Sequence, residues 1–337
     1  MAQIIESGQL NTDNESIPII DVRSPKEFAQ GHIPGAHNLP LFSDAERALV
    51  GTCYKQKGKE PAIKLGLEIV GLKMTSFVED AAKMAPGKKI MLHCWRGGMR
   101  SSCMAWLLEL TGFQVAILKG GYKAYRNYVL SVFQKDFKLK VLGGRTGSGK
   151  THLLQLVQDK GKQIIDLEAI AHHKGSAFGK IGFAAQPTSE QFENDLARKL
   201  QMLDLQHEIW IEDESKGIGR CFIPLNFLQT MRTSPLFVIK ISDQKRIENL
   251  LKDYGDAPNE ELAEPIKNLE KRLGNEKMKE ALQFLDEGKL DEVACIMLYY
   301  YDKTYDYALT QKDTKEIYRL DCENLNENQI IEKLLNT

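Results

Sequence analysis

The stretch Leu139-Lys-Val-Leu-Gly-Gly-Arg-Thr-Gly-Ser-Gly-Lys-Thr151 decides how the chain is read. The apolar run Leu139 to Leu142 predicts a short buried strand, and Leu153, Leu154 and Val157 predict a helix with one apolar face just beyond it. Between them, Gly144-Arg-Thr-Gly-Ser-Gly149-Lys150-Thr151 matches the GxxxxGK[ST] spacing of a phosphate-binding loop, in the strand-to-helix context the motif needs. Gly144, Gly147 and Gly149 free the backbone around Thr146 and Ser148 to wrap an anion with N–H groups, and the helix N-terminus adds positive potential. Lys150 is placed to neutralise terminal phosphates, and the Thr151 hydroxyl to ligate Mg²⁺. Such a cradle accepts the diphosphate of any organic group, with ATP as the default.

Working outward, Gln163–Asp166, Glu208–Glu212 and Leu236–Lys240 read as further buried strands. Phe192, Leu196, Leu200 and Leu203, and then Ile247, Leu250, Leu251 and Tyr254, step at helical intervals between and beyond them. The prediction is a parallel α/β domain over 138–257. The strand at Ile209 ends in Glu212-Asp-Glu214, and Asp213 is our choice for the metal-side acid, a solvated strand end being the plain alternative. Asp166 and the segment His172-His-Lys-Gly-Ser-Ala-Phe-Gly179 lie where related kinases bind an acceptor, so Lys174 and Ser176 are candidates for holding a phosphate or ribose; the two histidines are as easily structural. From Pro258 to 337 the pattern is charged and helical. Its tyrosines (Tyr299 to Tyr301, Tyr305, Tyr307) read first as core packing and second as base-stacking groups.

Upstream of the charged linker Gln134–Lys138 lies a second α/β unit, assigned to 1–137. Pro18–Val22, Lys89–His93 and Val115–Leu118 are its strands, and a helix carrying Met104, Leu107 and Leu108 stops at Gly112. The strand at Lys89 runs into His93-Cys-Trp-Arg-Gly-Gly-Met-Arg-Ser-Ser102, a cysteine at a strand end followed by a helix start, which is where open α/β sheets bind ligands. Backbone N–H groups of Trp95 to Ser101, the helix dipole, Arg96 and Arg100 are expected to stabilise a thiolate on Cys94 and an anionic sulfur or selenium species attached to it. Ser101 reads as the N-cap. The other five cysteines read as inert.

Composition narrows the classes. The chain has 337 residues, 42% hydrophobic and 27% charged, with net charge −1: a two-domain globular chain without the overall basic excess of many nucleic-acid binders. Seventeen basic and 13 acidic residues precede Phe137, whereas 28 and 33 follow it, so the first half is the better polyanion face. The six cysteines form no CxxC pair, which suggests neither a disulfide framework nor a zinc site and fits a reducing compartment. The stretch of residues 1–16 has no basic and apolar leader pattern, and the longest apolar run, Val293 to Tyr301, is far short of the ~18 residues of a membrane span. The expectation is a cytoplasmic protein without membrane contact.

Together with Asp21-Val-Arg-Ser-Pro-Lys-Glu-Phe28, Gly31-His-Ile-Pro-Gly-Ala-His-Asn-Leu-Pro40 and Leu118-Lys-Gly-Gly-Tyr-Lys-Ala124, the cysteine loop resembles the rhodanese family. That likeness implies a domain in which Cys94 carries a chalcogen and Asp21 and Arg23 brace the fold. A rhodanese-like domain joined to a phosphate-loop domain resembles the tRNA 2-selenouridine synthase family, also through Gly51-Thr-Cys-Tyr-Lys-Gln56, Asp166-Leu-Glu168, Gly175-Ser-Ala-Phe-Gly179 and Glu212-Asp-Glu-Ser215. Lys174 departs from the arginine expected there and loses the bidentate fork.

The resemblance implies a transferase that converts 2-thiouridine at the anticodon wobble position to 2-selenouridine through an S-geranyl intermediate, with geranyl diphosphate and selenophosphate as co-substrates. A selenophosphate-supplying enzyme is then an expected partner. Cys94 is expected either to carry selenium or to organise selenophosphate. Lys150 and the loop are expected to hold the diphosphate, with Glu168 among the substrate-side groups. The tRNA would meet Lys55, Lys57, Lys59, Arg96, Arg100, Lys119, Lys123 and Arg126, with Trp95 able to stack on a base. Two other classes remain: an ATP-dependent sulfurtransferase or kinase acting on a small acceptor, and a non-catalytic tRNA-binding regulator.

Overall fold

The computed structural model describes residues 3–9, 17–314 and 316–337; residues 1, 2 and 10–16, part of the stretch read above as lacking a leader, lie outside the described residues. The chain divides into two compact units, 1–132 with 193–198, and 133–192 with 199–337.

In chain order the first unit contains β1 (Gln3–Ile5), β2 (Ile19–Asp21), α1 (Pro25–Gln30), β3 (His37–Asn38), α2 (Asp44–Lys57), α3 (Lys59–Gly71), α4 (Met74–Met84), β4 (Lys89–His93), α5 (Met99–Leu110), β5 (Gln114–Leu118) and α6 (Gly121–Val132). All pairings in its sheet are parallel, in the order β1-β5-β4-β2-β3. Both faces of β4 are covered, so Ile90 and Leu92 are buried with Ile20, Met104 and Leu108 in one core. Truncating Leu92 there to Ala is worth about 2–5 kcal/mol of stability. The helix α5 stops where the sequence predicts: Gly112 takes φ 85°, its N–H reaches the Glu109 carbonyl, and the Phe113 N–H reaches that of Leu108. Ser43 and Glu46 cap α2 reciprocally. The three helices α2 to α4 and the short strands β1 and β3 were not anticipated.

The second unit contains β6 (Leu139–Gly144), α7 (Lys150–Asp159), β7 (Gln163–Ile165), α8 (Leu167–Ala171), the ends of α9 (Ser189–Gln201, whose residues 193–198 count with the first unit), β8 (Ile209–Glu212), β9 (Gly217–Ile218), β10 (Cys221–Phe222), α10 (Leu225–Thr233), β11 (Leu236–Lys240), α11 (Asp243–Tyr254), α12 (Asn259–Asn268), α13 (Glu270–Leu273), α14 (Asn275–Asp286), α15 (Leu290–Thr310), β12 (Ile317–Asp321) and α16 (Glu327–Asn336). Its main sheet is parallel, in the order β12-β11-β6-β8-β7. The first strand, β6, thus lies in the middle with later strands on either side, a topological switch at whose carboxyl end ligands bind. Residues 258–337, expected to be charged and helical, form α12 to α16 and in addition one strand. That strand, β12, extends the sheet beside β11, and Ile330, Ile331 and Leu334 of α16 pack with Leu153, Leu154 and Leu320. A separate apolar layer joins Phe178 and Ile181 to α12, α14 and α15.

Candidate functional site

In the first unit, Cys94 follows the last residue of β4 and is 3% exposed. Its Sγ lies 3.3 Å from the Oγ of Ser101, which sits inside the first turn of α5 and not at the N-cap expected for it, a place taken by Gly98. Burial works against the ionised thiol, but hydrogen bonds from the Ser101 side chain and then from the N–H groups of Ser101, Arg96 and Gly98 outweigh it, so the thiol titrates below its ordinary value. The Ser101 hydroxyl also lies 3.0 Å from the Gly98 carbonyl, so its proton can turn to the sulfur when Cys94 ionises.

The loop is held from behind by the segment before α6: the N–H groups of Tyr122 and Lys123 bond the carbonyls of Cys94 and Trp95. Only a glycine fits at 121. At φ 60°, a Cβ there would lie 2.3 Å from the Cys94 carbonyl oxygen and 2.5 Å from the Gly97 nitrogen. Beneath, Arg23 donates Nε and Nη2 to the Asp21 carboxylate at 2.6–3.0 Å, and its guanidinium lies 3.7 Å from the Tyr122 ring centroid. Both residues are fully buried, a brace rather than a reactive pair. Burial pushes the His93 imidazole down to about 4, so it is neutral at physiological pH.

The expected cations fare differently. Arg100 does not serve the sulfur: it donates to Glu27 Oε2 at 2.6 Å, and its charge is answered there. Arg126 is engaged by Glu193 and Asn194, and Lys119 by the exposed Glu6. Arg96 and Lys55 are exposed. Trp95 and Met99 stand partly in solvent at the loop, with Trp95 tilted against Tyr122.

In the second unit, the loop from Gly144 to Thr151 opens on a cavity of ≈ 1300 Å³. Gly149 takes φ 76° at the start of α7. Arg246 of α11, 2% exposed, clamps the outside of the loop by donating Nε to the Thr146 carbonyl at 2.9 Å, while its Nη1 donates to Asp302 of α15. Asn249 holds the Gly147 carbonyl at 2.9 Å, and Ser148 is buried. Lys150 Nζ rests 3.1 Å from the Gly144 carbonyl.

Around Lys150 sits a set of carboxyls. Thr151 Oγ1 donates to Glu168 Oε2 at 2.9 Å, and the Glu168 N–H donates to Glu212 Oε1 at 2.8 Å. Burial raises Glu168, with Lys150 acting against it; burial and then the Glu168 charge push Glu214 up to about 8. Asp166 caps α8 by accepting from Ala169 N–H at 2.7 Å, and burial raises it as well. Asp213, our choice of metal-side acid, is tied to Lys312, so Glu168 is the carboxylate that meets Thr151. Lys174 pairs with Asp253 at 3.1 Å and stands over the Tyr254 ring, and Ser176 Oγ accepts from the Phe178 N–H. Tyr305 and Tyr301 border the same cavity. Glu27 and Glu214 lie within the motifs Asp21–Phe28 and Glu212–Ser215 but were given no role from sequence, and Arg246, which lies in no motif, was missed.

Two family models divide the chain as these loops do: a rhodanese-like domain matches residues 6–128, and the tRNA 2-selenouridine synthase AAA domain matches 137–333. Over 95% of this chain and 96% of the relative, it is 34% identical to a tRNA 2-selenouridine synthase of Shewanella denitrificans. For its counterpart from Sulfurovum sp. the figures are 37% identity over 90% and 91%. For that of Marinobacter nauticus they are 34% over 92% and 93%. With both domains matched in order and relatives similar end to end, the chain belongs to the tRNA 2-selenouridine synthase family.

Proposed function

We propose that this transferase makes 2-selenouridine from 2-thiouridine in tRNA in two steps, using geranyl diphosphate and then selenophosphate. In the first, the thiocarbonyl sulfur forms a bond to the geranyl C1, the C–O bond to diphosphate breaks, and the base loses its N3 proton. In the second, a selenium nucleophile adds to C2 and geranylthiol leaves, while the P–Se bond of selenophosphate is hydrolysed to phosphate. A thiocarbonyl sulfur leaves poorly, so alkylation makes C2 open to attack.

The observation that supports the reading is the thiol of Cys94, held below its ordinary pKa in a ring of N–H donors at a strand end. Such a ring suits an anionic chalcogen on or beside the sulfur. Selenium carriage or selenophosphate orientation by Cys94 both use it. The phosphate loop is assigned the diphosphate: N–H groups of residues 145–151 bind it, and Lys150 offsets its charge. Thr151 and Glu168, 2.9 Å apart, would hold Mg²⁺. Among the described residues no group of three or more His, Cys, Asp or Glu is disposed to bind a metal, so such an ion would complete its shell with phosphate oxygens and water. When bound, it would supply further neutralisation of the diphosphate. The exposed Lys55, Lys57 and Lys59 of and beside α2 are assigned to the tRNA backbone. Among the described residues no helix is long and apolar enough to cross a membrane.

Mass spectrometry of tRNA nucleosides tests both steps. Lys150→Ala is expected to lose geranyl transfer while still selenating pre-geranylated tRNA. Cys94→Ser is expected to accumulate the S-geranyl nucleoside. Unchanged geranylation by the first variant, or full selenation by the second, overturns the corresponding assignment.

A further inference from the structure

Beside the phosphate loop, the second unit carries an apolar recess of ≈ 70 Å³ between α11, α12, α15 and the Phe178 segment. Its wall includes Phe178, Leu250, Tyr254, Val293, Ala294 and Met297. The recess and the large cavity share Thr146, Ser176, Leu250, Tyr254 and Tyr301. Thr146 is itself a residue of the phosphate loop, so the recess adjoins the loop that a diphosphate would occupy.

The recess offers its occupant nothing polar. The Tyr301 hydroxyl accepts from the Ala177 N–H at 3.1 Å, Ser176 Oγ accepts from Phe178, and Ser176 and Tyr254 share a hydrogen bond. A nucleobase would bring donors and acceptors into this wall and leave them unmatched. A 150 Å³ cavity lined by Leu, Ile and Phe holds about one benzene, so half that volume suits the end of a branched aliphatic chain.

We infer that this recess seats the far end of the hydrocarbon chain of an alkyl diphosphate whose charged end lies in the phosphate loop, and that its depth selects chain length. The inference rests on reading the loop as a diphosphate site, and it adds the side chains that choose the organic group. Ala294 and Val293, consecutive residues of α15, both line the recess. Ala294→Leu should therefore shorten it and Val293→Ala deepen it.

The test is calorimetric titration of the full chain with inorganic pyrophosphate, dimethylallyl diphosphate and geranyl diphosphate. Burying about two methylene groups is worth about tenfold in affinity, so wild type is expected to bind geranyl over dimethylallyl diphosphate at least about tenfold more tightly. Ala294→Leu is expected to shrink that ratio to about threefold or less with pyrophosphate affinity unchanged. Val293→Ala is expected to hold or raise it, and farnesyl diphosphate is expected to gain. Equal affinity of wild type for pyrophosphate and geranyl diphosphate, or an unmoved ratio in a folded Ala294→Leu, overturns the recess. Failure to bind any of the three overturns instead the diphosphate reading of the loop.

Discussion

Replacing Ser101 with Ala removes the largest favourable interaction that the Cys94 sulfur receives, at 3.3 Å; the nearly isosteric change otherwise costs the hydroxyl's bond to the Gly98 carbonyl, which still accepts from the Ser102 N–H. A hydrogen bond to a charged group is worth about 1.5–3 kcal/mol, and 1.36 kcal/mol is one pKa unit, so the thiol should rise by about one to two units. Donors at Ser101, Arg96 and Gly98 remain on the backbone and tighten, which favours the lower figure. The rate of alkylation at one pH understates this. A more basic thiolate is more nucleophilic, with a Brønsted slope of about 0.4–0.5, so a rise of one unit slows the reaction only about threefold at neutral pH. The measurement is therefore the full pH profile of iodoacetamide labelling at the Cys94 peptide, read by mass spectrometry so that the other five thiols do not contribute. The inflection should move up by about one unit in Ser101→Ala. In Arg100→Met it should hardly move, because that guanidinium already faces Glu27 at 2.6 Å. An unmoved inflection in Ser101→Ala, or a larger shift in Arg100→Met, would refute the assignment of the thiolate to local dipoles.

Gly121→Ala should lower the melting temperature and abolish selective labelling of Cys94, since the added Cβ meets the Cys94 carbonyl and the left-handed backbone adds about 1–3 kcal/mol of strain; wild-type labelling in a stable variant would count against the packing. Glu214, pushed up to about 8, carries its proton at neutral pH and gains charge as pH rises through that value, setting a negative group against Lys150. Pyrophosphate affinity should thus weaken above about pH 8, and Glu214→Gln should remove that component of the profile in isothermal titration. Arg246→Met should lose about 1.5–3 kcal/mol in urea unfolding, because it releases the Thr146 carbonyl and leaves Asp302 with Arg145 as its remaining ion-pair partner; a loss below about 1 kcal/mol would show that the clamp is not structural.

What the sequence makes legible here is local. The strand, loop and helix from Leu139 to Val157 lie within one continuous segment, so glycine spacing and apolar period suffice to place Lys150 and Thr151. The same holds for Cys94, which needs only a strand end and the glycines that follow. Edge strands are harder. The strand β12, Ile317-Tyr-Arg-Leu-Asp321, is mostly exposed and mixed in polarity, and its identity comes from pairing with β11 rather than from its own pattern. The two-residue β3 has no period to read. Ion pairs are harder still: Arg100 meets Glu27 across 73 residues and Arg246 meets Asp302 across 56, so counting nearby cations credits the sulfur and the tRNA with charges that are already matched.

That matching bears on the chemistry. A guanidinium held against Cys94 would drive its pKa far down and weaken the thiolate as a nucleophile, because basicity and nucleophilicity fall together. Neutral donors lower the pKa more gently, leaving a sulfur that is ionised to a useful degree yet still reactive. A diphosphate poses the opposite problem. Its several charges need a full cation as well as N–H groups, and Lys150 supplies it, while Glu168 beside it tempers the positive potential left when the anion departs. Both loops use a strand end, a run of glycines and a helix N-terminus. What separates a thiol loop from a phosphate loop is therefore the formal charge placed among the dipoles, and in this chain Glu27 removes it from one while Lys150 keeps it in the other.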